Sequence, residues 1–271
     1  AHELFHAWNP GRLGEPIGPS GYWLSEGFTD FYARRLLRRA GLISSAAFAG
    51  LWNESLRAYG VSPARTMPGA RAAEVFWTDP IAEKIPYQRG AMLAALWDWR
   101  LRQRGLTLDA VLRAQAETFR KRPNASLTEL FVAEMIKAGL DIREDLARHV
   151  DEGATIELPQ DVFAPCGKLE TVTAPSFELG FEPEPTSDGF LKVSRIKPGS
   201  AAERAGLRDG MTIVRKISGA NGDSTRPYEL LIRSTDGAIR TVRFLPQGDG
   251  AVRYQSLTLD PEGGTNACDF R

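Results

Sequence analysis

The sequence lacks an excess of either charge. Lys+Arg and Asp+Glu each number 34 among 271 residues, so the formal net charge is zero. That balance gives no broad basic footprint for nucleic acid or for an anionic membrane surface. Also missing is any apolar run near the ~18 residues that a membrane-spanning helix needs. Cysteine is scarce, with only Cys166 and Cys268. They either pair in an oxidising compartment or stand as separate buried thiols, and the sequence leaves both open. The compartment stays open with them, bacterial periplasm or exterior being favoured over cytoplasm. Histidine is scarce too: His2, His6 and His149 are the whole set. There is no internal repeat and no low-complexity tract. What is present is 42% hydrophobic and 25% charged residues, ordinary for a globular chain with room for one large domain or two modest ones.

Residues 1–150 read as helices. Ser25 and Glu26 open an apolar-periodic run through Phe28, Phe31, Tyr32, Leu36 and Leu37 that Gly41 stops. Arg34, Arg35, Arg38 and Arg39 in that run read as a solvated helix face. Ser44 or Ser45 caps a second helix to Gly60, and a third runs from about Tyr87 to Gly105. Thr107 caps a fourth, and Ser126 with Glu129 forms a capping box for a fifth that ends at Gly139. Between Val61 and Pro86 the chain carries Pro63, Pro68, Pro80 and Pro86 and reads as a long loop. His149 reads as a helix-end surface histidine. Composition changes after it: residues 156–175 read as a connector, residues 176–248 as strands separated by Gly- and Asp-containing turns, and 249–271 as one strand with a Gly-rich polar tail. The expected fold class is therefore α+β, with a mostly helical domain over 1–155 followed by a small β-rich domain.

The chain opens AHELFHAWN. On a helix His2 and His6 share one face, which lets both rings aim a nitrogen at one point. A tetrahedral zinc suits two such imidazoles, while Glu3 can reach a metal-bound water. A catalytic zinc takes a third protein ligand, and Glu26 in WLSEGFTDFY, on the next helix, is the candidate. Asp30, one turn after Glu26, is the candidate acceptor for the second N–H of a metal histidine. Such a set activates water with Glu3 as general base and leaves a developing oxyanion that needs a donor, a role suited to a tyrosine hydroxyl.

HELFHAWN, the R-x-G-x-P of Arg12 to Pro16, WLSEGFTDFY, the Pro-rich loop leading to PYQRGAM and a later ELGF loop together resemble the glycyl-aminopeptidase family of zinc metallopeptidases. These are gluzincins, related more distantly to the aminopeptidase-N-like family. The resemblance implies a thermolysin-like, mostly helical catalytic domain followed by a PDZ-like domain. It carries His2, His6 and Glu26 over as zinc ligands, Glu3 as the base and Tyr87 as the transition-state tyrosine. Arg89 stands where the family pattern has lysine, and the span from His6 to Glu26 is shorter than the family's. The family also has a β-rich region upstream of the histidine helix. On that ground the chain reads as the C-terminal portion of a longer enzyme with a half-built substrate cleft, expected to be weakly active or inactive alone.

Within the β-rich part, Glu178-Leu179-Gly180-Phe181 resembles the carboxylate-binding loop of PDZ domains, which makes Leu179, Gly180 and Phe181 candidate contacts for a peptide C-terminus. The helix that lines the peptide groove in such domains is shortened or lost here, ANGDSTRP standing in its place. The leading expectation is a zinc aminopeptidase that releases small N-terminal residues from peptide substrates, the size preference coming from the resemblance alone. Two alternatives stay open: a non-catalytic scaffold presenting a PDZ-like module, and a thermolysin-type endopeptidase.

Overall fold

The computed structural model describes residues 1–16, 18–261 and 267–269. The chain forms two compact units. The first comprises Ala1–Thr171 with Tyr254–Arg271, the second Val172–Arg253. In chain order the helices of the first unit are α1 (His2–Phe5), α2 (Tyr22–Arg39), α3 (Ser45–Val61), α4 (Gly69–Glu74), α5 (Lys84–Arg102), α6 (Leu108–Lys121), α7 (Leu127–Lys137) and α8 (Arg143–Asp145). A one-turn helix, α9 (Ala201–Arg204), belongs to the second unit. The strands are β1 (Gly167–Phe177), β2 (Glu182–Pro185), β3 (Leu191–Ser194), β4 (Thr212–Ser218), β5 (Tyr228–Arg233), β6 (Ile239–Phe244) and β7 (Gln247–Leu259). The class is α+β, helices in the first unit and antiparallel strands in the second. Among the described residues no helix is long and apolar enough to cross a membrane.

Local chemistry explains the helix ends. Ser44 Oγ accepts from Ala47 N–H, Thr107 Oγ1 from Ala110 N–H and Ser126 Oγ from Glu129 N–H, each satisfying an amide the helix cannot use. Gly41, Gly105 and Gly139 end helices at φ of 69°, 71° and 80°, where a side chain would be strained. Two helices begin earlier than their apolar periodicity implied. A 3₁₀ turn over Gly18–Gly21 hands the chain to α2 at Tyr22. Pro86 sits inside the first turn of α5, where its missing N–H costs no hydrogen bond, so the helix starts at Lys84. The stretch from 61 to 86 is likewise not all loop, since α4 lies within it. Arg89, buried on α5, holds that stretch by donating from Nη2 to the carbonyls of Arg65 and Met67, at 3.1 and 2.9 Å.

The core of the first unit is aromatic. Trp23 and Phe28 of α2 meet Trp97 of α5 and Phe131 of α7, with Trp23 to Trp97 at 5.9 Å and Phe28 to Phe131 at 5.1 Å between ring centroids. The arginine row of α2 is not a solvated face. Arg35 and Arg38 are buried. Arg35 pairs with Asp98 at 3.0 Å, Arg38 with Asp269 at 3.3 Å and Arg39 with Asp109 at 2.8 Å. Their counter-charges come from α5, from α6 and from the far end of the chain, which helical period alone cannot place.

The connector packs rather than links. Ile156, Leu158, Val162, Phe163 and Cys166 join the same core. Strand structure begins at Gly167, well before Ser176, because β1 pairs with β7 in a two-stranded sheet. Cys166 and Cys268 are disulfide-bonded, their Cα atoms 4.4 Å apart. Most of the Gly-rich tail, residues 262–266 and 270–271, lies outside the described residues.

In the second unit β2 to β6 form one antiparallel sheet in sequence order. Along β5 the residues Tyr228, Leu230 and Ile232 alternate inward. With Phe181, Val193, Leu207, Ile213 and Val242 they build a separate apolar core. Between β4 and β5, residues 219–227 hold turns and no helix.

Candidate metal centre

α1 is one turn long. Its closing bond runs from Phe5 N–H to the Ala1 carbonyl at 3.1 Å. His6 follows in helical backbone at φ −61°, ψ −21°. His2 and His6 therefore keep their shared face, with ring centroids 4.7 Å apart, edge to face.

Each Nδ1 has an acceptor. His2 Nδ1 lies 2.8 Å from Asp30 Oδ1, and His6 Nδ1 lies 2.8 Å from the Asn9 carbonyl oxygen. A carbonyl and a carboxylate accept, so each Nδ1 carries a proton and Nε2 is the nitrogen left to offer a lone pair to an ion. The two Nε2 atoms are 3.1 Å apart. Glu26 Oε2 is 3.2 Å from that of His2 and 3.4 Å from that of His6. Three potential donor atoms thus converge on one point, an arrangement that suits a shared cation. Donors bound at about 2.0–2.1 Å to a tetrahedral zinc sit about 3.3–3.4 Å apart, so this set fits such an ion. Among the described residues it is the one group whose ligand atoms converge in this way.

The approach of α2 and α5 brings the rest. A Cβ on Gly90 would fall 1.7 Å from the Trp23 carbonyl oxygen, and one on Gly27 would fall 2.4 Å from Gly90 Cα. The two helices touch backbone to backbone there. Glu26 precedes Gly27, and Tyr87 lies about one turn before Gly90. The crossing therefore brings the Tyr87 ring to 6.1 Å from the His2 ring, nearly parallel at 24°. Burial first, and then the carboxylate of Glu26 beside it, push the Tyr87 phenol well above its ordinary pKa. Tyr87 is a donor at every physiological pH.

Glu3 is exposed on α1 beside His2, without a hydrogen-bond or ion-pair partner among the described residues. Asp30 also faces Arg34, whose Nη2 is 3.4 Å from Asp30 Oδ2 and whose guanidinium lies 4.9 Å from the Trp52 ring. His149 is elsewhere, its Nδ1 on the Ala154 carbonyl at 3.0 Å. Sequence reasoning missed Asn9, Arg34 and the glycine pair. The one available signal was Asn9 itself, a polar residue standing three after His6 within HELFHAWN.

In the second unit the candidate carboxylate loop turns at Gly180, at φ +76°. The Gly180 carbonyl accepts from Lys197 N–H at 2.8 Å, and Phe181 is buried in that unit's core. Beside the loop runs β2, an edge strand reading EPEP, so two of its four residues have no N–H. A peptide added to a sheet edge is held by main-chain hydrogen bonds, and this edge is short of donors for them.

Residues 1–84 match the M61 glycyl aminopeptidase family. The M61 match takes in His2, Glu3, His6, Glu26 and Asp30 and stops short of Tyr87. The chain is also similar in fold to the crystal structure of an aminopeptidase N family protein from Idiomarina loihiensis, with a TM-score of 0.56 at 16% identity. That similarity covers 95% of this chain and 52% of the other, so the chain spans about half the length of that structure. No curated protein matches the chain.

Proposed function

We propose that the protein is a zinc-dependent metallopeptidase that acts as an aminopeptidase on peptides with small N-terminal residues. The carrying observation is the convergence of His2 Nε2, His6 Nε2 and Glu26 Oε2 within 3.1–3.4 Å of one another. Bound there, zinc would acidify a water and polarise a peptide carbonyl. His2 and His6 would hold the ion through Nε2, because their Nδ1–H groups donate to Asp30 and to the Asn9 carbonyl. Glu3, adjacent to His2 and unpartnered, takes the proton from the attacking water and returns it to the leaving amine. The Tyr87 hydroxyl donates to the carbonyl oxygen as negative charge develops on it. The glycyl preference and the exo mode rest on the M61 match. The Cys166–Cys268 disulfide favours an oxidising compartment, periplasm or exterior.

The test combines zinc stoichiometry with assays on free and N-blocked peptides. The protein binds one zinc, cleaves only free N-termini, and loses about 10²–10⁴ in kcat as Glu3→Gln with zinc content unchanged. Equal cleavage of N-blocked peptides would assign it to the endopeptidases, and full activity in Glu3→Gln would remove the proposed base.

A further inference from the structure

α1 meets the core through one side chain, the half-buried Phe5. It is a single turn, and none of its residues is buried. One turn of helix is far from self-supporting in water. Yet it must hold two imidazoles 3.2 and 3.4 Å from a carboxylate on another helix. The Asp30 contact to His2 and the stacking of Phe5 on Tyr32, at 4.9 Å, fix the outer edge of the turn. Neither reaches His6.

Asn9 does. Its N–H bonds the Phe5 carbonyl at 2.9 Å, and its own carbonyl accepts from His6 Nδ1 at 2.8 Å. Its side chain runs the other way. Nδ2 lies 2.9 Å from the Leu24 carbonyl, 3.0 Å from the Ser25 carbonyl and 3.2 Å from Thr29 Oγ1. Thr29 Oγ1 itself donates to the Ser25 carbonyl at 2.6 Å, which leaves its lone pairs for Asn9. These acceptors bracket Glu26 along α2. Asn9 is 1% exposed, and its Oδ1 is buried without a hydrogen-bond partner. An apolar residue would avoid that stranded oxygen, so the amide is explained by what Nδ2 holds.

We propose that Asn9 is the positioning residue of the metal site. It clamps the histidine turn to α2, so that His6 Nε2 and the Glu26 carboxylate stand at ligand spacing before any ion arrives. It touches neither metal nor substrate. The inference rests on the metal reading above.

The experiment measures zinc affinity of the whole chain by competition with a chromophoric chelator, with the visible absorption of the Co²⁺ form as a report on ligand geometry. Asn9→Ala and Asn9→Asp each weaken zinc binding about 10- to 100-fold and alter the Co²⁺ bands, Asp more than Ala because its carboxylate faces two carbonyl oxygens. Thr29→Ala, which removes one of the three acceptors, gives a smaller loss. Thermal unfolding of the metal-free variants identifies those that fold. Folded variants with wild-type affinity and an unchanged Co²⁺ spectrum overturn the proposal. If the Asn9 variants do not fold, the wild type decides: the Asn9 side-chain amide protons exchange slowly without metal if the clamp is preset, and free exchange before zinc is added overturns it. A wild-type chain that holds no zinc removes the metal reading itself, a different result from variants that bind as well as wild type.

Discussion

Tyr87 joins the candidate site through its neighbours rather than through its own place in the chain. Burial and the adjacent Glu26 charge both disfavour the phenolate, so its folded pKa stands above the ordinary value of about 10. The stabilisation this brings is complete below about pH 10 and is lost as pH rises through the raised value. Burial raises Tyr32 and Tyr228 as well, so in the metal-free protein spectrophotometric titration of wild type against Tyr87→Phe should differ by the loss of one of several late-ionising phenols. In the loaded enzyme Tyr87→Phe should lower kcat about 10²–10³-fold and leave zinc affinity unchanged, as loss of an oxyanion donor does. At this scale the sequence was legible wherever a helical period fixed the answer. His2 with His6 and Glu26 with Asp30 are each one turn apart, so their shared faces follow from spacing alone. Asn9 was not legible, because its partners lie on α2 and nothing in HELFHAWN says which helix packs behind it. Arg35 and Arg38 were misread for the same reason, since their carboxylates come from Asp98 and Asp269.

At the scale of elements, the contact of α2 with α5 sets the geometry of the site. Gly27 and Gly90 let the two backbones meet, and that closeness brings Tyr87 to the Glu26 side. Gly90→Ala should force the helices apart. The overpacking is expected to cost about 1–3 kcal/mol and about 2–10 °C in Tm, with Tyr87 drawn away from His2. Thermal unfolding checks the first effect, and a fall in kcat at unchanged zinc content checks the second. Caps and stops were readable because each is a local bargain between one side chain and one or two amides: Ser44, Thr107, Ser126, Gly41, Gly105 and Gly139 all act within four residues. The closeness of two helices is not local. A glycine in SEGF and another in QRGAM carry no mark that they face each other, nor does the stretch around α4 announce that Arg89 will hold it.

For the whole molecule, the bond between Cys166 and Cys268 closes a loop of 102 residues and joins the connector to the end of the chain, where Asp269 meets the guanidinium of Arg38. Closing so long a loop removes much freedom from the unfolded chain. Replacing both cysteines by serine should lower stability by about 3–5 kcal/mol, read as a shift of the urea midpoint, and reductant should do the same to the wild type. The path of the chain between those cysteines has its own outcome. Gly167 lies against Thr258, and Ser176 against Gly250, so β1 and β7 run side by side in opposite directions, and residues 172 and 253 both fall on that strand pair. A segment whose two ends fall on paired strands can be exchanged, enlarged or dropped over evolutionary time while the rest of the chain stays continuous.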